Sequence, residues 1–213
     1  MTTSARETVL VVDFGAQYAQ LIARRVREAH VFSEIVGPSI TSAEVVAKAP
    51  IGIIFSGGPA SVHVEGAPLI DPGIYDLGIP ILGICYGAQL ISLERGGEVG
   101  RTDRGEYGRT TMTLADGGGI LLHGTPDEQP VWMSHFDAIV TLPDGVTCTA
   151  STPGAPVAAF EDVEQKLYGV QFHPEVMHTP HGQHVLEQFL REVCQAEADW
   201  TMPSIIDTEV AKI

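Results

Sequence analysis

Three apolar runs constrain the fold of this 213-residue chain more than any other feature: Thr8–Asp13 (TVLVVD), Ile51–Phe55 (IGIIF) and Ile79–Ile84 (IPILGI). All are rich in β-branched residues, and none alternates apolar with polar. A strand that is apolar on both faces has to be covered on both faces, as in a parallel sheet layered between helices. The spacing between the runs agrees. Residues 16–29 place Tyr18, Leu21, Ile22 and Val26 at helical intervals, and Val31–Val36 reads as another strand. Thr41-Ser42-Ala43-Glu44 has capping-box spacing and predicts a short helix through Lys48; Tyr86–Arg95 is helical in character.

The rhythm changes after Tyr107. From there to Gln171 short period-two runs are broken by many glycines and prolines, which predicts hairpins and antiparallel strands. Val170-Gln171-Phe172 reads as a late strand and His181–Cys194 as the last helix. The expected architecture is α/β: a central, mostly parallel sheet with helices on both faces, plus a smaller antiparallel sheet. Residues 1–195 form one domain in this reading. Residues 196–213, with Trp200, Pro203 and Ile205-Ile206 but little core periodicity, read as a linker.

Charge narrows the partners. Acidic residues outnumber basic ones 27 to 12, for a net charge of −15. Such a field repels phosphate backbones and anionic lipid heads, so neither nucleic acid nor a membrane is expected. The arginines at 24, 25 and 27 read as a solvated helix face. Cys85, Cys148 and Cys194 are widely spaced and form neither a metal motif nor a disulfide framework, which suits a reducing compartment. Met1–Glu7 lacks an apolar signal core, and no apolar stretch approaches a membrane span, so a cytoplasmic location is expected.

The chemistry concentrates at Gly83-Ile84-Cys85-Tyr86-Gly87, where a buried strand passes into a helix. This is the cysteine form of the nucleophile elbow: a sharp turn lifts the nucleophile off the sheet, and small neighbours let the flanking elements pass. A helix N-terminus also favours a thiolate. A cysteine nucleophile needs a base, and the base needs an orienting group. His173 and Glu175, separated by Pro174, would lie on the same side of an extended segment and supply both. Ser56-Gly57-Gly58-Pro59 ends a neighbouring strand, so the Gly58 and Tyr86 amides are candidate oxyanion donors. That turn is no phosphate loop, because the sequence holds no G-x-x-x-x-G-K-[ST].

His178, His181 and His184 do not have the spacing of a zinc motif. Pro180 reads instead as a helix-start residue with Thr179 as its cap.

Taken together, the elbow with Gln89 (Gly83–Gln89), the Ser56–Pro59 turn and Gln171-Phe172-His173-Pro174-Glu175 resemble the class I glutamine amidotransferases, over about residues 8–194. Within that family, Asp13–Tyr18, the following Leu21–Glu28, Val131-Trp132-Met133-Ser134-His135, and Glu175–Pro180 are similar to the GMP synthases. The Asp199-Trp200-Thr201-Met202 tail resembles the linker into their ATP-pyrophosphatase domain. The resemblance implies a flavodoxin-like fold and hydrolysis of the glutamine side-chain amide through a cysteine thioester. The ammonia would aminate XMP to GMP on a separate synthetase domain or subunit. Cys85 would be the nucleophile, His173 the base and acid, and Glu175 the orienter. Gly58 and Tyr86 would form the oxyanion hole, and Gly57, Gln89, Ser134, His135 and Phe136 would line the glutamine pocket. No cofactor or metal is implied for this chain, since ATP and Mg would belong to the synthetase part. The linker-like tail favours a fragment of a longer protein over a separate subunit.

One position departs from the family pattern. The glutamine loop of GMP synthases usually reads Ser-His-Gly-Asp, whereas here it is Ser134-His135-Phe136-Asp137. Glycine permits positive φ or close backbone approach, and phenylalanine readily permits neither. Either the pocket is remodelled or the ring points away. Two other functions share the motifs: a γ-glutamyl hydrolase or peptidase acting alone, and a regulatory module on an inactivated site.

Overall fold

The computed structural model describes residues 7–59, 61–197 and 199–201. Nine strands form one sheet in the order β2-β1-β3-β4-β9-β8-β7-β5-β6. Its first five members are parallel: β1 (Thr8–Val12), β2 (Phe32–Val36), β3 (Gly52–Phe55), β4 (Ile81–Ile84) and β9 (Leu167–Val170). The remaining four, β5 (Glu98–Leu114), β6 (Glu128–Thr141), β7 (Thr147–Ser151) and β8 (Ala159–Asp162), pair antiparallel. The antiparallel part expected as a smaller sheet is joined to the parallel part, because β8 hydrogen-bonds to β9.

Helix α1 (Ala19–Glu28) and α4 (Gly182–Gln188) cover one face, where Val9, Val11, Ile54, Leu82 and Ile84 meet Ile22, Val26 and Leu186. Helix α2 (Ser42–Lys48) and α3 (Tyr86–Glu94) cover the other, where Leu10, Val12, Ile53, Phe55 and Ile81 meet Val45, Leu90 and Ile91. Consecutive residues of β1 thus enter opposite cores, which is why the run shows no polar alternation. The capping box forms at Thr41: its hydroxyl accepts from the Glu44 amide, and the Glu44 carboxylate accepts from the Thr41 amide.

Three sequence expectations shift. The last parallel strand ends at Val170, so Gln171 and Phe172 lie beyond it. The chain leaves the ladder there because the His173 amide donates to the Trp132 carbonyl on β6, 2.9 Å away. The final helix begins at Gly182 and continues as a wider turn over Phe189–Val193. Thr179 does not cap it, since its hydroxyl is already engaged: it donates to the His173 carbonyl (2.7 Å) and accepts from the Trp132 amide (3.0 Å).

Of the expected linker, Trp200 is buried against the domain. Its amide donates to the His30 carbonyl, and its ring meets Phe32 at 6.2 Å. Residues 202–213, with Met202, Pro203 and Ile205-Ile206, lie outside the described residues, as do residues 1–6.

Candidate active site

The C-terminal ends of β3, β4 and β9 carry the site, the usual location for a ligand in an open α/β sheet. Cys85 follows β4 and adopts φ 52°, ψ −105°, a left-handed conformation that a side chain other than glycine seldom takes. Holding it there costs about 1–3 kcal/mol, which the surrounding packing must over-determine. The flanking glycines show how. A Cβ on Gly83 would come within 2.5 Å of the Ala88 amide nitrogen, and one on Gly87 within 2.5 Å of the Phe55 carbonyl oxygen. The Cys85 amide donates to the Val170 carbonyl (2.8 Å), and the Gly87 amide to the Ser56 carbonyl (3.2 Å). The elbow is therefore pinned to both neighbouring strands.

Gly57 and Gly58 fold over this turn. A Cβ on Gly58 would lie 2.6 Å from the Tyr86 ring, and one on Gly57 would lie 3.3 Å from His173 Cε1 and 3.9 Å from Cys85 Cβ. The Ser56 hydroxyl steadies the loop, accepting from the Phe14 amide (3.0 Å) and donating to the Gly57 carbonyl (2.9 Å). Tyr86 is the first residue of α3, so its amide has no partner one turn back in the helix.

His173 lies against this glycine turn, and its Nδ1 is 2.7 Å from Glu175 Oε1. Both side chains are almost wholly buried. Burial by itself disfavours the imidazolium, but the Cys85 sulfur and the Glu175 carboxylate outweigh it, and the His173 pKa is pushed up to about 11. Glu175 Oε2 is buried with no hydrogen-bond partner among the described residues, so the imidazole is the main recipient of its charge. The loop is held from several sides: Arg25 Nε donates to the Glu175 carbonyl (2.9 Å), Tyr18 meets the His173 ring edge-on at 5.4 Å, and Thr179 and Trp132 fix its backbone.

A cavity of about 350 Å³ opens over Cys85, lined by Gly58, Tyr86, Gln89, Ser134, His135 and Phe136 among others. All the residues expected to bind substrate line it except Gly57, which packs near His173, Ala16 and Cys85. Their side chains differ in availability. The Ser134 carbonyl oxygen is 3.7 Å from Cys85 Sγ. Gln89 Nε2 is occupied by the Asp137 carbonyl at 2.6 Å. His135 is buried with Nε2 3.2 Å from Glu106 Oε2. Phe136 is 47% exposed, within extended β6 and outside the left-handed region, so its backbone does not require glycine. A larger cleft of about 500 Å³ lies near the start of β9, around Leu167, but holds none of these groups.

Several contributors were not apparent from sequence. Gln171 Nε2 approaches Cys85 Sγ at 3.9 Å. Glu106 accepts from Thr152 Oγ1 (2.6 Å) and the Gly154 amide (2.9 Å) as well as facing His135. In the arginine cluster Arg24 and Arg27 are exposed, as a solvated face requires, with Arg27 also donating to the Ser33 carbonyl, whereas Arg25 is half-buried and reaches the Glu175 carbonyl. The three later histidines take separate roles. The His178 ring stacks on Trp132, His181 precedes α4, and His184 Nε2 meets the His123 carbonyl.

Comparison with known proteins agrees with this geometry. Residues 10–193 match the family model described as glutamine amidotransferase class-I. The chain is 57% identical over 210 residues to a glutamine-hydrolyzing GMP synthase from Thermobifida fusca, covering 99% of this chain and 40% of that protein. It is 56% identical over 212 residues to the corresponding enzyme of Streptomyces avermitilis, covering 100% of this chain and again 40% of the relative. The chain thus spans about 40% of the length of these curated relatives. Among solved structures, a candidate GMP synthase subunit from Thermoplasma acidophilum superimposes with a TM-score of 0.81 at 32% identity, over 99% of this chain and 100% of that one. A glutamine amidotransferase from Thermotoga maritima shares the fold, with a TM-score of 0.68 at 17% identity, over 91% of this chain and 100% of that one.

Proposed function

Because this chain belongs to the class I glutamine amidotransferase family, we propose that it hydrolyses glutamine to glutamate and ammonia, and that the ammonia aminates XMP to GMP on a synthetase part lying beyond this chain. The observation that carries the reading is the strained Cys85 elbow with the His173–Glu175 pair set against it.

The steps follow from the geometry. The Cys85 thiolate attacks the γ-carboxamide carbon, and the carbonyl oxygen takes up negative charge beside the Gly58 and Tyr86 amides. The His173 imidazolium gives its proton to the departing nitrogen, so ammonia leaves and a γ-glutamyl thioester remains on Cys85. Neutral His173 then removes a proton from water as that water attacks the thioester. The C–S bond breaks, glutamate leaves, and the thiolate–imidazolium pair is restored. Glu175 holds the ring in the tautomer whose Nε2 faces the reacting atoms and stabilises its charge. The ring-nitrogen contact to Glu175 is through Nδ1, which supports this division of roles.

The relatives' names support GMP synthesis as the destination of the ammonia, and the larger part of their length, unmatched by this chain, leaves room for a synthetase domain that would bind ATP and Mg. Three free cysteines suit a cytoplasmic setting, and no helix among the described residues is long and apolar enough to cross a membrane. The test is Cys85→Ala. Glutamate formation should fall to background while the circular-dichroism spectrum is retained, and residual turnover would remove Cys85 from its role.

A further inference from the structure

The cavity over Cys85 contains one cationic side chain among its described lining residues, Arg101 on β5. It has no ion pair among the described residues, although the ladder sets Asp137 directly opposite. Its guanidinium carbon instead lies 4.9 Å from the centre of the Phe136 ring. Arginine stacked on an aromatic face keeps the N–H groups at its edge free to pair with a carboxylate. The Gly105 backbone passes close to this ring: a Cβ there would lie 3.0 Å from Phe136 Cδ2.

Substrate chemistry gives that cation a purpose. Glutamine must bring its γ-amide to Cys85, and its other end carries an α-carboxylate. A chain with a net charge of −15 sets up a field that repels carboxylates, and a cation lining the cavity offsets that field locally. The same cavity is lined by Cys85 and by Arg101.

We propose that Arg101, held at the rim by stacking on Phe136, binds the α-carboxylate of the glutamine substrate. The proposal deepens the glutaminase reading and rests on it. It also gives Phe136 a role: its ring is the platform that fixes the guanidinium. Arg101 acts on substrate binding and leaves the thiol chemistry untouched.

The test is protection of Cys85 from alkylation by iodoacetamide, a reagent with no carboxylate, in the full chain. Protection by L-glutamine is compared with protection by L-glutaminamide, in which a neutral carboxamide replaces the α-carboxylate. In the unmodified protein glutamine should protect at concentrations about 10- to 100-fold lower, the effect of one charge-assisted pair. Arg101→Gln should bring the two protection curves together, and Arg101→Lys should retain part of the gap. Phe136→Gly should narrow it about two- to fivefold by removing the stack. Protection in each protein is referred to that protein's own alkylation rate without ligand. A gap in Arg101→Gln as wide as in the unmodified protein overturns the proposal, as does an equal loss of protection by both compounds. If glutamine fails to protect Cys85 in the unmodified protein, the glutaminase reading fails and this proposal falls with it.

Discussion

Two buried histidine–glutamate pairs lie within reach of the same cavity, and they behave in opposite ways. His173 faces Glu175 at 2.7 Å and His135 faces Glu106 at 3.2 Å, and all four side chains are nearly inaccessible. Burial works against the imidazolium in both, yet the His173 pKa is raised and the His135 pKa is lowered. The difference lies in what else each carboxylate and each ring must satisfy. Glu175 has one oxygen with no partner among the described residues and depends on its histidine, and Cys85 places a second acidic group beside that ring. Glu106 is already served by the Thr152 hydroxyl and the Gly154 amide, so its pull on His135 is too weak to overcome burial, and the charge of His173 nearby adds repulsion. In this molecule the pair whose carboxylate oxygen lacks another donor among the described residues is the one set beside Cys85. The other is a buried brace, tying β5 and β6 to the turn at residues 152–154.

The largest expected break in this comparison is Glu175→Gln. The amide cannot stabilise the imidazolium and favours the wrong tautomer, so kcat for glutamate release should fall about 10²- to 10⁴-fold with little change in KM. Steady-state kinetics check this; a loss under tenfold would place the two pairs in the same class.

A smaller effect is expected for Glu106→Gln. It weakens the contacts to Thr152, Gly154 and His135, costing about 1–3 kcal/mol of stability in denaturant unfolding, with kcat reduced less than tenfold. The pH dependence sharpens the contrast. His135 is held below its ordinary value of 6.5, so between that value and its folded one the unfolded chain binds more protons than the native chain. Stability from this residue is present above about pH 6.5 and is lost as pH falls through the folded value. His135→Gln should flatten that acid limb, measured as unfolding midpoints against pH. An unchanged limb would show that His135 is not held neutral.

How much of this was legible in the sequence depends on how local each device is. The elbow lies within Gly83–Gly87 and the capping box within four residues, and both form as their spacing indicates. The His173–Glu175 contact spans two residues and was equally readable. The Glu106 brace joins residues 29 to 48 positions apart, and no local pattern announces it. Thr179 shows how a local signal misleads: a threonine before a helix suggests a cap, but tertiary partners at Trp132 and His173 claimed the hydroxyl first. Arg25 on α1 reaches Glu175 across 150 positions, which a helical-face argument cannot foresee. At Phe136 the sequence leaves open a remodelled pocket or a ring that points away; the backbone there is extended and needs no glycine, and the residue lines the cavity over Cys85.

The central claim is that Cys85 alone is activated, by the His173–Glu175 pair. The most direct measurement is the rate of reaction of each cysteine with an electrophilic glutamine analogue at neutral pH, resolved by peptide mapping. Burial pushes the Cys194 thiol far up, so it should stay inert, and Cys148 should react slowly. The account predicts a single rapid adduct on Cys85, blocked by glutamine and slowed by at least about tenfold in Glu175→Gln. Reaction of Cys85 no faster than Cys148, or undiminished in that variant, would contradict it.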